Sequence, residues 1–326
     1  MKTSVNLFTG AEMPLLGFGT FSWTGEPERV ANAVKHALEC GYRHIDCASM
    51  YGNEKEIGVA VKGVKGMDRR DIFITSKLWN TMHAAEDVRP ACEKSMQDLG
   101  VDYLDLYLVH WPFGFKNPGD GNLFPKNSDG TLMYSDVSIM ETWSAMEKLV
   151  DQGLCRHIGV SNFNSKQLAE VLDKGRIKPA VLQIECHPYF NQSKLIKFCQ
   201  ERGIAVTAFS PLACPGRLTL KPGEPVVIED PVLKDIGGKY NKTAAQVALR
   251  FNVQRDVIVI PKSATPARIT HNKELFDFAL SEEDMRAIEG LHNQDTGRIC
   301  KPIVTVGDKK ILWGAGHPLF PFDEEF

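Results

Sequence analysis

Four acid–base side chains stand just after short apolar runs in the first third of the chain. They are Asp46, Tyr51, Lys77 and His110. A free tyrosine, with a pKa near ~10, is a poor acid or base at neutral pH, but a neighbouring ammonium group favours the phenolate and lowers that pKa. A carboxylate can hold the ammonium in place through an ion pair, and a histidine can hydrogen-bond an oxygen atom or relay a proton. Together the four predict a site that protonates an oxygen atom gaining negative charge.

Each of these residues has an ordinary structural explanation when it is taken alone. Asp46 could cap a helix, Lys77 could lie on the surface, and His110 could be a packed core residue. Tyr51 by itself indicates almost nothing. Their joint placement after consecutive strand-like runs favours a shared site, because the strand ends of a parallel barrel converge on one face.

The absence of other catalytic residue types excludes several kinds of reaction. The set contains no ordinary nucleophile beside a base and no pair of carboxylates suited to glycoside cleavage. The sequence has no His-Glu-x-x-His spacing and no clustered His/Cys run, so we expect no metal ion. A reduction at this site would therefore take its hydride from an organic cofactor.

A basic turn follows the last strand-like run and combines two cations with two hydroxyl groups. Anions bind well at helix N-termini, and phosphate sites of barrels favour the loops after strands seven and eight. Lys262 and Arg268 would suit the 2′-phosphate that distinguishes NADPH from NADH. The alternative is a solvated basic turn in which Thr265 caps the following helix. The turn contains Lys262, Ser263, Thr265 and Arg268.

Short β-rich runs alternate with amphipathic segments throughout the chain, which predicts a repeated strand–helix architecture. The predicted strands cover residues 15–20, 44–46, 72–76, 104–109, 157–161, 181–184, 205–209 and 257–260. The main predicted helices cover residues 28–40, 86–99, 139–152, 165–172, 193–202 and 243–252, and a further helix starts at Ser281.

Eight strand–helix units with apolar strands imply a parallel sheet covered by helices, and the count of eight favours an α/β fold of the closed (β/α)8 TIM-barrel type. The alternative is an open Rossmann-type sheet, but the segment from Gly17 to Ser22 lacks its third glycine. We predict one domain over residues 1–326, with an N-terminal hairpin closing the barrel bottom. The long segments 112–138 and 212–231 follow strands, so we expect them at the C-terminal face, where barrel active sites form.

Composition excludes several classes of protein. Hydrophobic residues make up 43% and charged residues 24%, as in ordinary globular proteins. The net charge of −3 gives no reason to expect nucleic acid or an anionic membrane as a partner. No signal peptide or membrane-spanning run is visible, and the eight cysteines are scattered, which is typical of reduced thiols in the cytoplasm. Because no coiled coil or exposed apolar stripe is evident, we expect a monomer.

Six segments together resemble the aldo-keto reductase superfamily over essentially the whole chain. They are GYRHIDCASMYGNE (41–54), TSKLW (75–79), DYLDLYLVHWP (102–112), IGVSNF (158–163), VLQ (181–183) and IPKS (260–263). The segments FPKNSDGT (124–131) and AGHPLFPF (315–322) resemble the aldehyde reductase branch of that superfamily.

The resemblance implies a catalytic tetrad of Asp46, Tyr51, Lys77 and His110, with Tyr51 as the general acid and NADPH as the cofactor. It implies that Ser161, Asn162 and Gln183 hold the carboxamide and that an aromatic residue, here Phe209 rather than tyrosine, stacks on the nicotinamide. The remaining cofactor contacts are expected from Thr20, Phe21, Asp46, Ser210, Leu212, Lys262, Ser263, Thr265, Arg268 and Asn272.

The resemblance also bears on the substrate. Trp313 stands about where aldehyde reductases carry an arginine that grips substrate carboxylates, which argues against acidic sugar aldehydes. An apolar pocket favours aromatic, aliphatic or bulky carbonyl compounds, and it is expected from Phe21, Met50, Trp79, Trp111 and Trp313.

The leading hypothesis is therefore NADPH-dependent reduction of aldehydes or ketones to alcohols. The alternative is a regulatory or structural protein that retains the fold, and a barrel hydrolase is a third possibility. Catalysis without nucleotide would favour the hydrolase.

Overall fold

A computed structural model describes residues 1–22, 25–217, 220–221, 223–306, 309–324 and 326. Eight strands form one parallel sheet in which each strand pairs with its neighbours along the chain. In chain order they are β3 (Phe18–Gly19), β4 (His44–Asp46), β5 (Phe73–Leu78), β6 (Leu104–Val109), β7 (Cys155–Ser161), β8 (Val181–Glu185), β9 (Ala205–Phe209) and β10 (Val257–Val259).

The first and last of these strands meet, which closes the sheet into a barrel. Leu16 forms a parallel bridge with Val259, and the Gly17 amide donates to the Val259 carbonyl at 2.8 Å. The predicted (β/α)8 fold is confirmed. The predicted first strand, 15–20, is shorter in the structure, because residues 15–17 bond to the last strand while Phe18 and Gly19 pair with β4.

Helices cover the outside of the barrel. They are α1 (Pro27–Glu39), α2 (Glu54–Lys62), α3 (Ala85–Leu99), α4 (Ile139–Asp151), α5 (Ser165–Lys174), α6 (Ser193–Gln200), α7 (Pro231–Tyr240), α8 (Ala244–Gln254), α9 (Pro266–Lys273) and α10 (Glu282–Glu289). All six main predicted helices are confirmed. Ser281 caps α10 by accepting a hydrogen bond from the Asp284 amide, as its sequence spacing predicted.

The sequence prediction missed two helices, α2 and α7, and both contain glycine in their interior. Glycine lowers helix propensity by about 1 kcal/mol relative to alanine, so it masks the helical pattern. In α2 the glycine has a packing reason: a Cβ atom on Gly58 would lie 2.4 Å from the Leu99 carbonyl oxygen at the end of α3. The close contact between these two helices therefore requires a residue without a side chain.

Two antiparallel hairpins flank the barrel. The N-terminal hairpin pairs β1 (Ser4–Asn6) with β2 (Glu12–Pro14), as predicted, and Val5 and Met13 join the main apolar core. The C-terminal hairpin pairs β11 (Ile303–Val306) with β12 (Lys309–Leu312) and was not predicted. No helix among the described residues has both the length and the apolar character needed to cross a membrane.

A separate apolar cluster joins the long segment 112–138 to the C-terminal tail. Trp111, Phe113, Phe115 and Leu132 are buried there together with Val304 and Phe320. The tail therefore packs over the strand ends where the predicted site residues lie.

Candidate active site

Three of the predicted tetrad residues are joined by hydrogen bonds around one buried ammonium group. Lys77 Nζ donates to Asp46 Oδ1 at 2.5 Å, to the Cys47 carbonyl at 2.8 Å and to Tyr51 Oη at 3.2 Å. Asp46 ends β4 and Lys77 lies in the adjacent β5, so the pairing of these strands sets their distance. Tyr51 is held by the short 3-10 turn Ser49–Tyr51, whose Ser49 hydroxyl donates to the Lys77 carbonyl at 3.2 Å.

The fourth tetrad residue, His110, lies against the same phenol. It follows β6 directly, and its ring packs edge-on with Tyr51 at 5.9 Å and with Trp79 at 5.3 Å between centroids. Its Nδ1 is buried and has no hydrogen-bond partner among the described residues. The structure therefore brings all four residues together at one end of the barrel.

Burial and charge set the protonation states of this group. Burial raises the pKa of Tyr51 to about 12, and the opposing effect of the Lys77 ammonium is smaller. Lys77 lowers the pKa of Tyr51, as expected, but the loss of solvation outweighs this attraction, so the pKa is raised overall.

The partners of Tyr51 also have shifted pKa values. Burial lowers the pKa of His110 well below its ordinary value, and Lys77 adds to the shift. Burial works against the charged form of Lys77 as well, but Asp46 and Tyr51 raise the pKa of Lys77 above its usual range. At neutral pH the site therefore contains a protonated phenol, a neutral imidazole and a charged ammonium group.

A row of buried amide and hydroxyl groups lies beside the tetrad. Gln183 Nε2 donates to the second carboxylate oxygen of Asp46 at 2.7 Å, and Asn162 Nδ2 donates to the His110 carbonyl at 2.9 Å. Ser161 pairs with Gln183 across β7 and β8, and its hydroxyl accepts from Asn162 Nδ2 at 3.2 Å. The contact between Gln183 and Asp46 was not predicted, since it joins strands far apart in the sequence.

Other predicted cofactor residues lie on both sides of this row. One group follows β3, the first strand of the barrel, and the other lies at the end of β9, the seventh. The hydroxyl of Thr20 is buried and donates to the Asp46 carbonyl at 2.8 Å. Phe209 ends β9, adjacent to the Gln183 strand, and Ser210 follows with a left-handed φ of 48°. Leu212 is partly buried against the apolar core.

The basic turn after β10 forms a separate group at the same end of the strands. Thr265 occupies the N-cap position of α9, as the alternative expected, but its side chain makes no capping hydrogen bond. Ser263 Oγ accepts from the Thr265 amide at 3.1 Å. Lys262 and Arg268 are exposed and form no ion pair among the described residues, and Asn272 is buried on α9.

Aromatic rings form a wall next to the phenol. Phe21 packs on Tyr51 at 5.2 Å, and Trp313 lies 6.0 Å from Trp79 and 6.3 Å from Trp111 between ring centroids. Met50 belongs to the same cluster. The sequence prediction missed Phe124, which lies only 5.0 Å from Trp313, because the long loop gave no signal of where it folds back.

The closed barrel, with acid–base side chains gathered at the ends of its strands, is the architecture of a barrel enzyme. A comparison with protein-family models identifies the family. The model for the aldo/keto reductase family matches residues 15–293. The chain belongs to the aldo/keto reductase family, and it is an enzyme of that family. Among the described residues, no group of three or more His, Cys, Asp or Glu side chains could hold a metal ion.

Individual relatives agree with this assignment. The chain is 51% identical to aldo-keto reductase family 1 member A1 from Gallus gallus, covering 99% of this chain and 98% of the relative. It is 50% identical to the Homo sapiens protein of the same name, with the same coverage. A solved aldose reductase from Schistosoma japonicum superposes with a TM-score of 0.89 at 42% identity, covering 100% of both chains. The predicted resemblance to this superfamily is confirmed, and carbonyl reduction with a nicotinamide cofactor is the activity that the family indicates.

Proposed function

We propose that this enzyme reduces aldehydes or ketones to alcohols with NADPH, and that Tyr51 donates the proton. The observation that carries the proposal is the half-buried phenol of Tyr51, whose oxygen lies 3.2 Å from the buried Lys77 ammonium and whose ring packs edge-on against His110. A buried ion pair is costly and contributes little to stability by itself. Its presence therefore favours a catalytic role over a purely structural or regulatory one.

The protonation states suit this reaction. The pKa of Tyr51, raised to about 12 by burial, keeps the phenol protonated and ready to donate. Once the proton has left, the phenolate would be stabilised by the Lys77 ammonium, which Asp46 holds in place. Neutral His110 would donate a hydrogen bond to the carbonyl oxygen and orient it toward Tyr51. The nicotinamide cofactor, when bound, would supply the hydride.

The charges on the basic turn fit a phosphorylated cofactor. Lys262 and Arg268 form no ion pair among the described residues, and of the charges near Lys262, Arg29 is itself paired with Glu26 at 2.9 Å. The N-cap of α9 leaves amide groups available, and amides at a helix N-terminus favour anions. We propose that Lys262, Ser263, Thr265 and Arg268 bind the 2′-phosphate of NADPH.

Other residues would hold the remainder of the dinucleotide. Ser161, Asn162 and Gln183 would bind the carboxamide, and Phe209 would stack on the nicotinamide ring. The remaining proposed contacts are Thr20, Phe21, Asp46, Ser210, Leu212 and Asn272.

We propose apolar carbonyl compounds, aromatic, aliphatic or bulky, as substrates. Phe21, Met50, Trp79 and Trp111 would line the pocket, with Trp313 completing the wall. We further propose that residues 1–326 form one domain and that the protein works as a cytoplasmic monomer. The main apolar core, which runs from Val5 to Leu275, supports the first of these.

The decisive experiment compares the wild-type protein with Tyr51→Phe in an assay of NADPH oxidation with an aromatic aldehyde. Removing a general acid should slow turnover on the order of 10²–10⁴-fold, while NADPH binding measured by fluorescence should remain. Phenylalanine keeps the ring that packs on Phe21 and His110, so the fold is preserved. Normal turnover in this variant would show that another group donates the proton.

A further inference from the structure

We propose that Cys214 and Cys300 form a reversible redox site, in which a hydroperoxide oxidises the two thiols to a disulfide. The linkage would join the loop after β9 to the segment before β11. The redox clasp, as we call this pair, involves no residue of the tetrad.

The two thiols meet at one hydroxyl group although 86 positions separate them in the sequence. Cys214 Sγ donates to Ser210 Oγ at 3.0 Å, and Cys300 Sγ lies 3.5 Å from the same oxygen. Both cysteines are free and only partly buried. The other half-buried cysteine, Cys40, donates instead to the His36 carbonyl in its own helix.

The two sides of the clasp differ in how firmly they are held. The amide of Cys300 donates to Glu185 Oε2 at 2.9 Å, and the neighbouring Ile299 amide donates to Oε1 at 2.7 Å. Glu185 is buried and also bonds His187, so this anchor is rigid. Cys214, by contrast, has a φ of 45°, in the left-handed region that is strained for a residue with a side chain.

Cys214 is the nucleophile of the pair. The hydrogen bond from the Cys300 thiol lowers the pKa of Cys214 to about 7; Ser210 and Arg217 act in the same direction, while burial and Glu185 oppose them. Lys262 is the further charge that interacts with this thiol. The hydrogen bond to Cys214 and burial raise the pKa of Cys300, which therefore stays protonated. The opposite shifts favour the thiolate, which is the reactive form, at Cys214 rather than at Cys300.

The oxidation step balances with a hydroperoxide as oxidant. The Cys214 thiolate attacks the terminal peroxide oxygen, the O–O bond breaks, and the leaving alkoxide takes a proton, which gives a sulfenic acid and an alcohol or water. Cys300 sulfur then attacks the Cys214 sulfur, and the hydroxyl leaves as water with the proton of the Cys300 thiol. Two thiols are oxidised to one disulfide and one peroxide is reduced.

The test uses the full-length protein treated with hydrogen peroxide, followed by alkylation and peptide mapping. We expect two titratable thiols to disappear, one linked peptide pair containing Cys214 and Cys300, and full recovery with dithiothreitol. The oxidation rate should rise with pH through a midpoint near 7, as the thiolate of Cys214 forms. If both cysteines are alkylated equally before and after treatment, or if either pairs with another cysteine, the proposal is wrong.

Matched variants identify the role of each thiol. Cys214→Ser should abolish the linkage, Cys300→Ser should leave a sulfenic acid at position 214 that dimedone traps, and Cys40→Ser should oxidise like the wild type. Dimedone labelling at position 300 in Cys214→Ser, with none at 214 in Cys300→Ser, would overturn the assignment of the nucleophile.

A functional consequence follows if the proposed cofactor site is correct, since Ser210 and Leu212 lie in the loop that the clasp would restrain. We expect NADPH to dissociate at least tenfold more slowly from the oxidised protein than from the reduced protein. The two measurements test separate claims. If no disulfide forms, the redox clasp is wrong; if the disulfide forms but NADPH dissociates at an unchanged rate, its effect on the cofactor site is wrong.

Discussion

At the scale of single residues, the tetrad shows that burial can outweigh the effect of a neighbouring charge on a pKa. The sequence indicated that Lys77 and Tyr51 would meet, and they do, at 3.2 Å. It could not indicate the direction of the phenol pKa, because that depends on how completely the surrounding loops exclude water. The result is a phenol that remains an acid over the physiological range.

Replacing Lys77 with methionine should damage both activity and stability. The change keeps the length of the side chain but leaves Asp46 as a buried carboxylate without its cation, which costs about 3–5 kcal/mol of unfolding free energy. Urea unfolding and NADPH-dependent turnover measure the two effects. The double variant Asp46→Asn/Lys77→Met serves as the control: it should recover much of the stability but none of the turnover. Equal stability of the single and double variants would contradict this account of the ion pair.

Lys262→Glu tests the choice of cofactor at the same scale. The substitution places a negative charge beside the proposed 2′-phosphate, so the Kd for NADPH should rise about 10-fold or more, while the Kd for NADH should change far less. Fluorescence titration with both dinucleotides measures this directly. Lys273→Glu on the far end of α9, where Lys273 bonds the Cys40 carbonyl, is the matched control for a general change in charge. Equal weakening of both dinucleotides by Lys262→Glu would remove the argument for NADPH.

At the scale of elements, the sequence predicted most of the barrel because alternation and helix periodicity are local signals. It missed α2, where Gly58 interrupts the helical pattern, and the hairpin of β11 and β12, whose strands are short and include the exposed Ile303 and Ile311. It also missed Phe124 as part of the aromatic wall. The position of that ring is set by the contact with Trp313, which is nearly two hundred residues away along the chain.

Gly58→Ala should destabilise the protein, contrary to the usual effect of alanine in a helix. A new Cβ would meet the Leu99 carbonyl oxygen at 2.4 Å, so α2 and α3 must separate, at a cost of about 1–3 kcal/mol. Gly238→Ala in α7 is the matched control, since a Cβ there meets nothing within 4 Å and should stabilise by roughly 0.5–1 kcal/mol. Urea midpoints of the two variants should therefore shift in opposite directions. A stabilised Gly58→Ala variant would show that the helices are not in close contact.

At the scale of the whole molecule, three buried histidines should make the free energy of unfolding decrease at acid pH. Burial lowers the pKa of His44 to about 4 and that of His83 to about 3, and the pKa of His110 is lowered as well. In the unfolded chain these rings titrate near ~6.5, so below that pH the unfolded state binds protons that the folded state does not. Stability should then fall as pH drops from about 6.5 toward 4, by up to about 2 kcal/mol per histidine between pH 6.5 and 5.

His83 is the simplest of the three to test, since burial alone is the cause of its shift, whereas Lys77 also contributes to the shifts of His44 and His110. His83→Gln should flatten the loss of stability between pH 6.5 and 5 by about 2 kcal/mol, because one fewer proton is taken up on unfolding. Urea unfolding at several pH values measures the slope. Because glutamine fills similar volume but can itself lower stability, the slope and not the absolute value decides the outcome. An identical slope in the variant would mean that His83 is protonated in the folded protein as readily as in the unfolded chain. Water would then reach this ring more freely than its burial indicates.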